Sequence, residues 1–284
     1  MSKAAGPAQA QVARFRKSTC LSVSGLAVDY GTTRIIFDLD FAVEAGQVTI
    51  VVGPNGCGKS TLLKAMARIL RPAKGAVLLD REPVHHQPTR KIARRIALLP
   101  QGPVAPEGLT VRELVSQGRF PHQSLIRQWS REDARAVAEA MAAADVTEFA
   151  DRRVSDLSGG QRQRCWIAMV LAQETEILLL DEPTTFLDLK VQVELMQLLH
   201  GIAHGAGRTL VIVMHELNVA AAFADRLVMM KDGAIVAEGP VREVFTTGNL
   251  SRIFGLDAVV LMDPESGRPV CVPRTDLARP VAAQ

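Results

Sequence analysis

Residues 48–63 read VTIVVGPNGCGKSTLL, and no other stretch restricts the fold of this chain so tightly. All five residues of VTIVV are β-branched, as expected of a strand covered on both faces. The segment Gly53-Pro54-Asn55-Gly56-Cys57-Gly58-Lys59-Ser60 then fits G-x-x-x-x-G-K-[ST], and STLLKAMARIL after it spaces its apolar residues as a helix would. Glycines in such a loop let backbone N–H groups turn inward on phosphates, and the helix N-terminus adds positive potential. Lys59 is placed to reach the β- and γ-phosphates and Ser60 to ligate Mg2+. A nucleotide-binding domain is therefore expected.

The remaining chain supplies a matching framework. FDLDFAVE (37–44) alternates like a half-buried strand. Pro72 and Gly75 should end the helix after the loop, AVLLD should be a strand, and IALLPQ (96–101) another. Thr110 with Glu113 and Ser130 with Asp133 read as capping boxes, and AVAEAMAAADV is helical by composition, so 102–165 is expected to be a mostly helical insertion. Alternation resumes with ILLLD (177–181), a helix over 188–203 and TLVIVMH (209–215). RLVMM and AIVAE flank a KDG turn and should form a hairpin, and the tail predicts a short helix and a second hairpin around PESGRP. A parallel-sheet core interrupted by a helical subdomain follows.

Bulk properties exclude several classes. A net charge of +3 on 284 residues is too small to argue for nucleic acid, though it suits weak contact with an anionic membrane surface. Cys20, Cys57, Cys165 and Cys271 form no CxxC pair, which suits a reducing compartment. The N-terminal MSKAAGPAQAQVARFRKST lacks the apolar stretch of a signal peptide, and no run reaches the length of a membrane span. Attachment to a membrane, if any, is expected to go through partners.

Further residues point to phosphoryl chemistry. ILLLDE places Asp181 and Glu182 at the carboxyl end of a strand, where ligands bind in open α/β sheets. Asp181 would hold Mg2+ with Ser60, and Glu182, pointing elsewhere along the pleat, could polarise an attacking water. Strand-end His215 could contact the γ-phosphate, and Gln101 ends a third strand. Tyr30, the only tyrosine, could stack on adenine or pack in the sheet. Cys57 sits near a helix N-terminus, which can lower a thiol pKa, but it reads more readily as a small residue filling the loop.

A second glycine-bearing stretch, LSGGQRQR (157–164), opens a helix running through CWIAMVLAQE. Ser158, Gly159 and Gly160 would sit at its positive end with bare N–H groups, a second anion site away from the phosphate loop. Phosphate loop, LLPQ, LSGGQ, ILLLDE and a strand-end His, in that order over roughly 20–245, resemble the ATPase subunit of ABC transporters. The resemblance implies an α/β fold: a P-loop NTPase (RecA-like) core with a parallel sheet, an antiparallel β subdomain and an inserted helical subdomain. It implies a core of 19–101 and 166–245, a signature subdomain of 102–165, a flexible 1–18 and a C-terminal extension of 246–284.

By the same resemblance, ATP and Mg2+ are the cofactors. Tyr30 stacks on adenine, Lys59, Ser60 and Thr61 hold phosphates and Mg2+, and Gln101 senses the metal and the transmembrane partner. Asp181 is a metal ligand, Glu182 the base, Asp188 part of a subunit-contact loop and His215 the γ-phosphate switch. Ser158, Gly159, Gly160 and Gln161 form a signature that caps the γ-phosphate held by a partner subunit, which implies a homodimer. ELVSQGRFPHQ (113–123), LSGGQRQRCWIAMVLAQET (157–175) and DEPTTFLDL resemble importers of ferric siderophores, haem and vitamin B12, most of all the first. HELN (215–218) departs from that branch, which usually has Asp where Glu216 stands.

The implied setting is the cytoplasmic face of the inner (plasma) membrane, bound to integral-membrane permease subunits. A periplasmic or surface substrate-binding protein is implied as an indirect partner, with no nucleic acid. A soluble ABC-type ATPase acting on nucleic acid or ribosomes would carry tandem domains or a coiled-coil insertion. One motif set and no heptad run disfavour it, and the complete acid–histidine set disfavours a nucleotide switch that does no hydrolysis. The transported molecule is not legible.

Overall fold

The computed structural model describes residues 21–123 and 129–274; the expected flexible segment 1–18 and the end of the tail lie outside them. In chain order the strands and helices begin with β1 (Leu21–Tyr30), β2 (Thr33–Val43), β3 (Val48–Val52) and α1 (Lys59–Met66). Next come β4 (Lys74–Leu79), β5 (Glu82–Pro83), α2 (Thr89–Ala93) and β6 (Ile96–Leu99). The helical layer follows with α3 (Val111–Ser116), α4 (Arg131–Ala143) and α5 (Gly159–Ala172). After it stand β7 (Ile177–Asp181), α6 (Leu189–Ala206), β8 (Thr209–Val213), α7 (Leu217–Phe223), β9 (Arg226–Lys231) and β10 (Ala234–Pro240). The tail adds α8 (Val241–Val244), α9 (Thr247–Phe254), β11 (Ala258–Met262) and β12 (Pro269–Pro273).

The central sheet has the order β10-β9-β3-β8-β7-β6. Its β9, β3, β8, β7 and β6 run parallel, and β10 closes one edge antiparallel. Strand periodicity divides its side chains between two cores. Val48, Ile50 and Val52 face α5 and α6, whereas Val51 faces the other side with α1. Leu178 and Leu180 of β7 face the first core and Leu179 the second. Such two-sided burial is why β3, β7 and β8 read as predominantly apolar runs, broken only by Thr49, Asp181 and Thr209.

A second, antiparallel sheet of order β2-β1-β4-β5 covers the α1 side. The hairpins β9–β10 and β11–β12 form where KDG and PESGRP predict them. The capping boxes at Thr110 and Ser130 are both made, each hydroxyl accepting from the backbone N–H three residues on.

Two local expectations differ. The helix after the phosphate loop stops at Met66 rather than running to Pro72, because Arg68 turns left-handed with φ 65° and Lys64 O accepts from both Ile69 and Leu70. Position 165, where the helical insertion is expected to end, falls inside the continuous helix α5.

Candidate functional site

Strand β3 delivers the phosphate loop to the carboxyl edge of the central sheet. Glycine is required at Gly53, where a Cβ would lie 2.3 Å from the Met230 carbonyl and 2.8 Å from the Cys57 sulfur. It is also required at Gly58, whose φ of 102° admits L side chains only under strain. The loop opens on a cavity of about 530 Å3 lined by Tyr30, Asn55, Gly56, Gly58, Lys59, Ser60, Thr61, Gln101, Glu182 and His215. Residues from five separate stretches of sequence thus converge on one hollow. Ile35 of β2 is a further wall that sequence reading missed, since a half-buried isoleucine on an edge strand carries no signal of its own.

Lys59 is buried, and its ammonium donates to Gly53 O at 2.8 Å and Pro54 O at 2.9 Å, which aims the charge along the loop's inner wall. Ser60 Oγ donates to Asp181 Oδ1 at 2.8 Å. The other oxygen, Asp181 Oδ2, is buried without a hydrogen-bond partner. Burial pushes the Asp181 carboxyl above its ordinary 3.8, the Ser60 hydroxyl opposes this, and the neighbouring Glu182 reinforces it. A buried carboxylate with one orphaned oxygen beside a loop serine fits a hard divalent cation, which supplies the missing charge.

Glu182 departs from the expected pleat. β7 ends at Asp181, and Glu182 takes φ 51°, a left-handed turn that is uncommon for a side-chain-bearing residue and concentrates at functional sites. Its Oε1 meets His215 Nε2, and its Oε2 accepts from Gln101 Nε2 at 2.6 Å and Thr185 Oγ1 at 3.0 Å. The strand-end residues are therefore joined in one network. Thr185 went unread in the sequence; its only signal was a hydroxyl three residues beyond the acid.

Tyr30 is 46% exposed at the cavity rim, so the reading of it as packed in the sheet fails. Cys57 is buried, and its desolvation raises the thiol pKa more than Lys59 lowers it, which agrees with its reading as a small residue filling the loop rather than an activated thiol. A helix end cannot activate a sulfur that the loop folds inward.

Ser158, Gly159, Gly160 and Gln161 are not among the walls of this cavity. They start α5, where Ser158 Oγ accepts from Gln161 N and Gln161 Oε1 accepts from Ser158 N at 3.0 Å. The Ser158 N–H is thus not bare as expected, because the signature glutamine occupies it. At Gly160 a Cβ would lie 2.8 Å from Val191 of α6, so glycine there permits close packing of the two helices. Gly159 lines a separate hollow of about 220 Å3 that shares Gln101 and Glu182 with the first. Asp188 caps α6 by accepting from Val191 N at 3.0 Å. Glu216 stands at the corresponding place before α7 but makes no side-chain cap bond, its extra methylene being one too many for that geometry.

A family model described as ABC transporter matches residues 36–185, from β2 to the turn after Glu182. The chain belongs to the ABC transporter family. This ABC subunit binds ATP and is an ATPase coupled to transport. It is 48% identical over 252 residues to the iron(3+)-hydroxamate import ATP-binding protein FhuC of Bacillus subtilis (strain 168), covering 89% of this chain and 94% of that one. To the ferric enterobactin transport ATP-binding protein FepC of Escherichia coli (strain K12) it is 47% identical, covering 87% and 92%. Among solved structures it matches an ABC transporter assigned to the metal-chelate type in an inward-facing conformation. The TM-score is 0.80 at 30% identity, covering 92% of this chain and all of that one.

Proposed function

We propose that this chain is the ATP-hydrolysing subunit of an importer for a ferric siderophore or a related metal chelate. The observation that carries the hydrolytic part is the Glu182 carboxylate, held by Gln101, Thr185 and His215 at the mouth of the phosphate-loop cavity. The import of an iron chelate is supported by what the relatives are named for. In this reading the loop N–H groups and Lys59 cradle the phosphates, and Tyr30 offers its exposed face to the adenine ring. Ser60 and Asp181 would hold Mg2+, with Gln101 beside them, and the ion would supply charge neutralisation on the phosphates.

Glu182 then takes the proton of the water that attacks the γ-phosphorus, while Gln101 and Thr185 hold its second oxygen toward the cavity. His215 donates to the γ-phosphate oxygens when nucleotide fills the space, leaving Glu182 for the water. Ser158, Gly159, Gly160 and Gln161 serve the nucleotide held by a second copy, so two chains are needed for a complete site. The helical layer 102–165 faces the permease at the cytoplasmic side of the membrane; no described helix is long and apolar enough to cross it.

The deciding experiment is uptake in vesicles that carry this subunit with the permease encoded beside it. ATP inside should drive entry of radiolabelled iron supplied as ferric hydroxamate or ferric catecholate. Uptake of haem or vitamin B12 in place of ferric chelates would overturn the cargo, and hydrolysis that no permease stimulates would overturn the coupling.

A further inference from the structure

At the opposite pole of the central sheet lies a cluster that nucleotide chemistry does not use. His200 and His204 are four residues apart near the end of α6, which puts both imidazoles on one face of the helix. Their ring centroids are 4.2 Å apart, and Phe223 presents its ring edge-on to His200 with centroids 6.4 Å apart. The chain returns through α7 to place Asp225, just before β9, against the same face. His204 Nε2 and Asp225 Oδ2 are 3.0 Å apart, and one donor atom from each of the three side chains lies within 4.8 Å of the others.

We propose that His200, His204 and Asp225 bind one divalent ion of the late first-row transition metals, with Zn2+ as the type. Two imidazoles and a carboxylate are a three-ligand set that leaves a fourth, tetrahedral position to solvent. Nitrogen donors favour such an ion over Mg2+ or Ca2+, which prefer oxygen throughout. The carboxylate is already oriented: Asp225 Oδ2 accepts the Val48 N–H at 2.8 Å, the kind of outer contact that fixes a metal ligand. A helix C-terminus attracts one protonated histidine through its dipole. That alone does not explain a second imidazole held 4.2 Å from the first at a 48° tilt, nor a carboxylate brought from another element.

The position gives the ion a role distinct from hydrolysis. Val48 opens β3 and Asp225 precedes β9, so the cluster sits at the amino end of the strand whose carboxyl end leads into the phosphate loop. Five residues of strand separate the two sites, about 16 Å at ~3.3 Å per residue. A bound ion would fasten the end of α6 to the corner before β9 and, through Val48, to the strand that feeds the phosphate loop. The proposal does not depend on the transport reading.

Calorimetric titration of the nucleotide-free full chain with ZnCl2, in excess Mg2+ to compete at oxygen-only sites, should give one ion per chain. His200→Ala and His204→Ala should each weaken it at least about tenfold, no less than loss of an outer-shell partner does. Co2+ in place of Zn2+ should give the visible absorption of a tetrahedral nitrogen–oxygen site, and Zn2+ should shift two histidine ring resonances in proton–nitrogen NMR. These last two readouts use the wild-type chain and stand even if a variant fails to fold. No Zn2+ uptake, wild-type affinity in the double histidine variant, or unshifted ring resonances would each overturn the site.

Discussion

Glu182 shows how much one residue depends on its neighbours. Its place after four apolar residues is plain in ILLLDE, but its aim comes from a left-handed backbone and three partners. Replacing it by Gln keeps the shape and removes the basic oxygen. Turnover of Glu182→Gln should fall at least about 100-fold, the low end for a general base, while ATP still binds. Near wild-type phosphate release from the purified variant would remove Glu182 from the role of base.

Thr185→Val is a finer test, since it keeps the volume and deletes the hydroxyl that donates to Glu182 Oε2. A hydrogen bond to a charged group is worth about 1.5 kcal/mol or more, so kcat should drop about tenfold with KM for ATP nearly unchanged. A KM effect without a kcat effect would assign Thr185 to nucleotide binding instead.

Among the elements, the helical layer is held by a buried charge rather than by apolar packing alone. Arg119, 2% exposed, donates from Nε to Asp133 at 2.9 Å and from Nη1 to Glu174 at 2.8 Å and to Ala172 O at 2.7 Å. It thereby joins the start of α4 to the end of α5, while Gly118 beside it lets the backbone come so near that a Cβ would lie 2.1 Å from Met169 O. Arg119→Met would take the buried cation from between Asp133, which keeps its Ser130 bonds, and Glu174, which keeps Arg135 at 3.4 Å, and unfolding in urea should show a loss of about 3–5 kcal/mol near neutral pH. A loss below about 1 kcal/mol would mean that water replaces the guanidinium.

The pH dependence of that loss has a definite sign. Burial by itself pushes the Asp133 carboxyl up, but hydrogen bonds from Ser130 and Arg119 together outweigh it and hold it below 3.8. A carboxylate depressed on folding contributes stability above its unfolded pKa and loses it as pH falls through the folded value. The gap between wild type and Arg119→Met should therefore narrow as pH drops below about 4.

For the whole molecule, the separation of the signature from the chain's own cavity makes a second copy necessary to the proposed site. Phe186 is 98% exposed and Leu189 68%, flanking Asp188, so an apolar surface lies bare where a partner would cover it. With ATP, Glu182→Gln should sediment at twice the monomer mass, and without nucleotide as a monomer. A monomer under both conditions would count against sharing of sites between copies. By itself the sequence determined the strand–loop–helix that holds phosphate, the two-sided sheet and the caps of α3 and α4. These depend on residues near in the chain, through backbone conformation, period and side-chain reach over a turn. It did not determine that Thr185 and Gln101 share one carboxylate oxygen, that Cys57 turns inward, or that two histidines of α6 meet Asp225. Each of those is a distance between segments far apart in sequence, and only close packing of the sheet between its two cores brings such segments together.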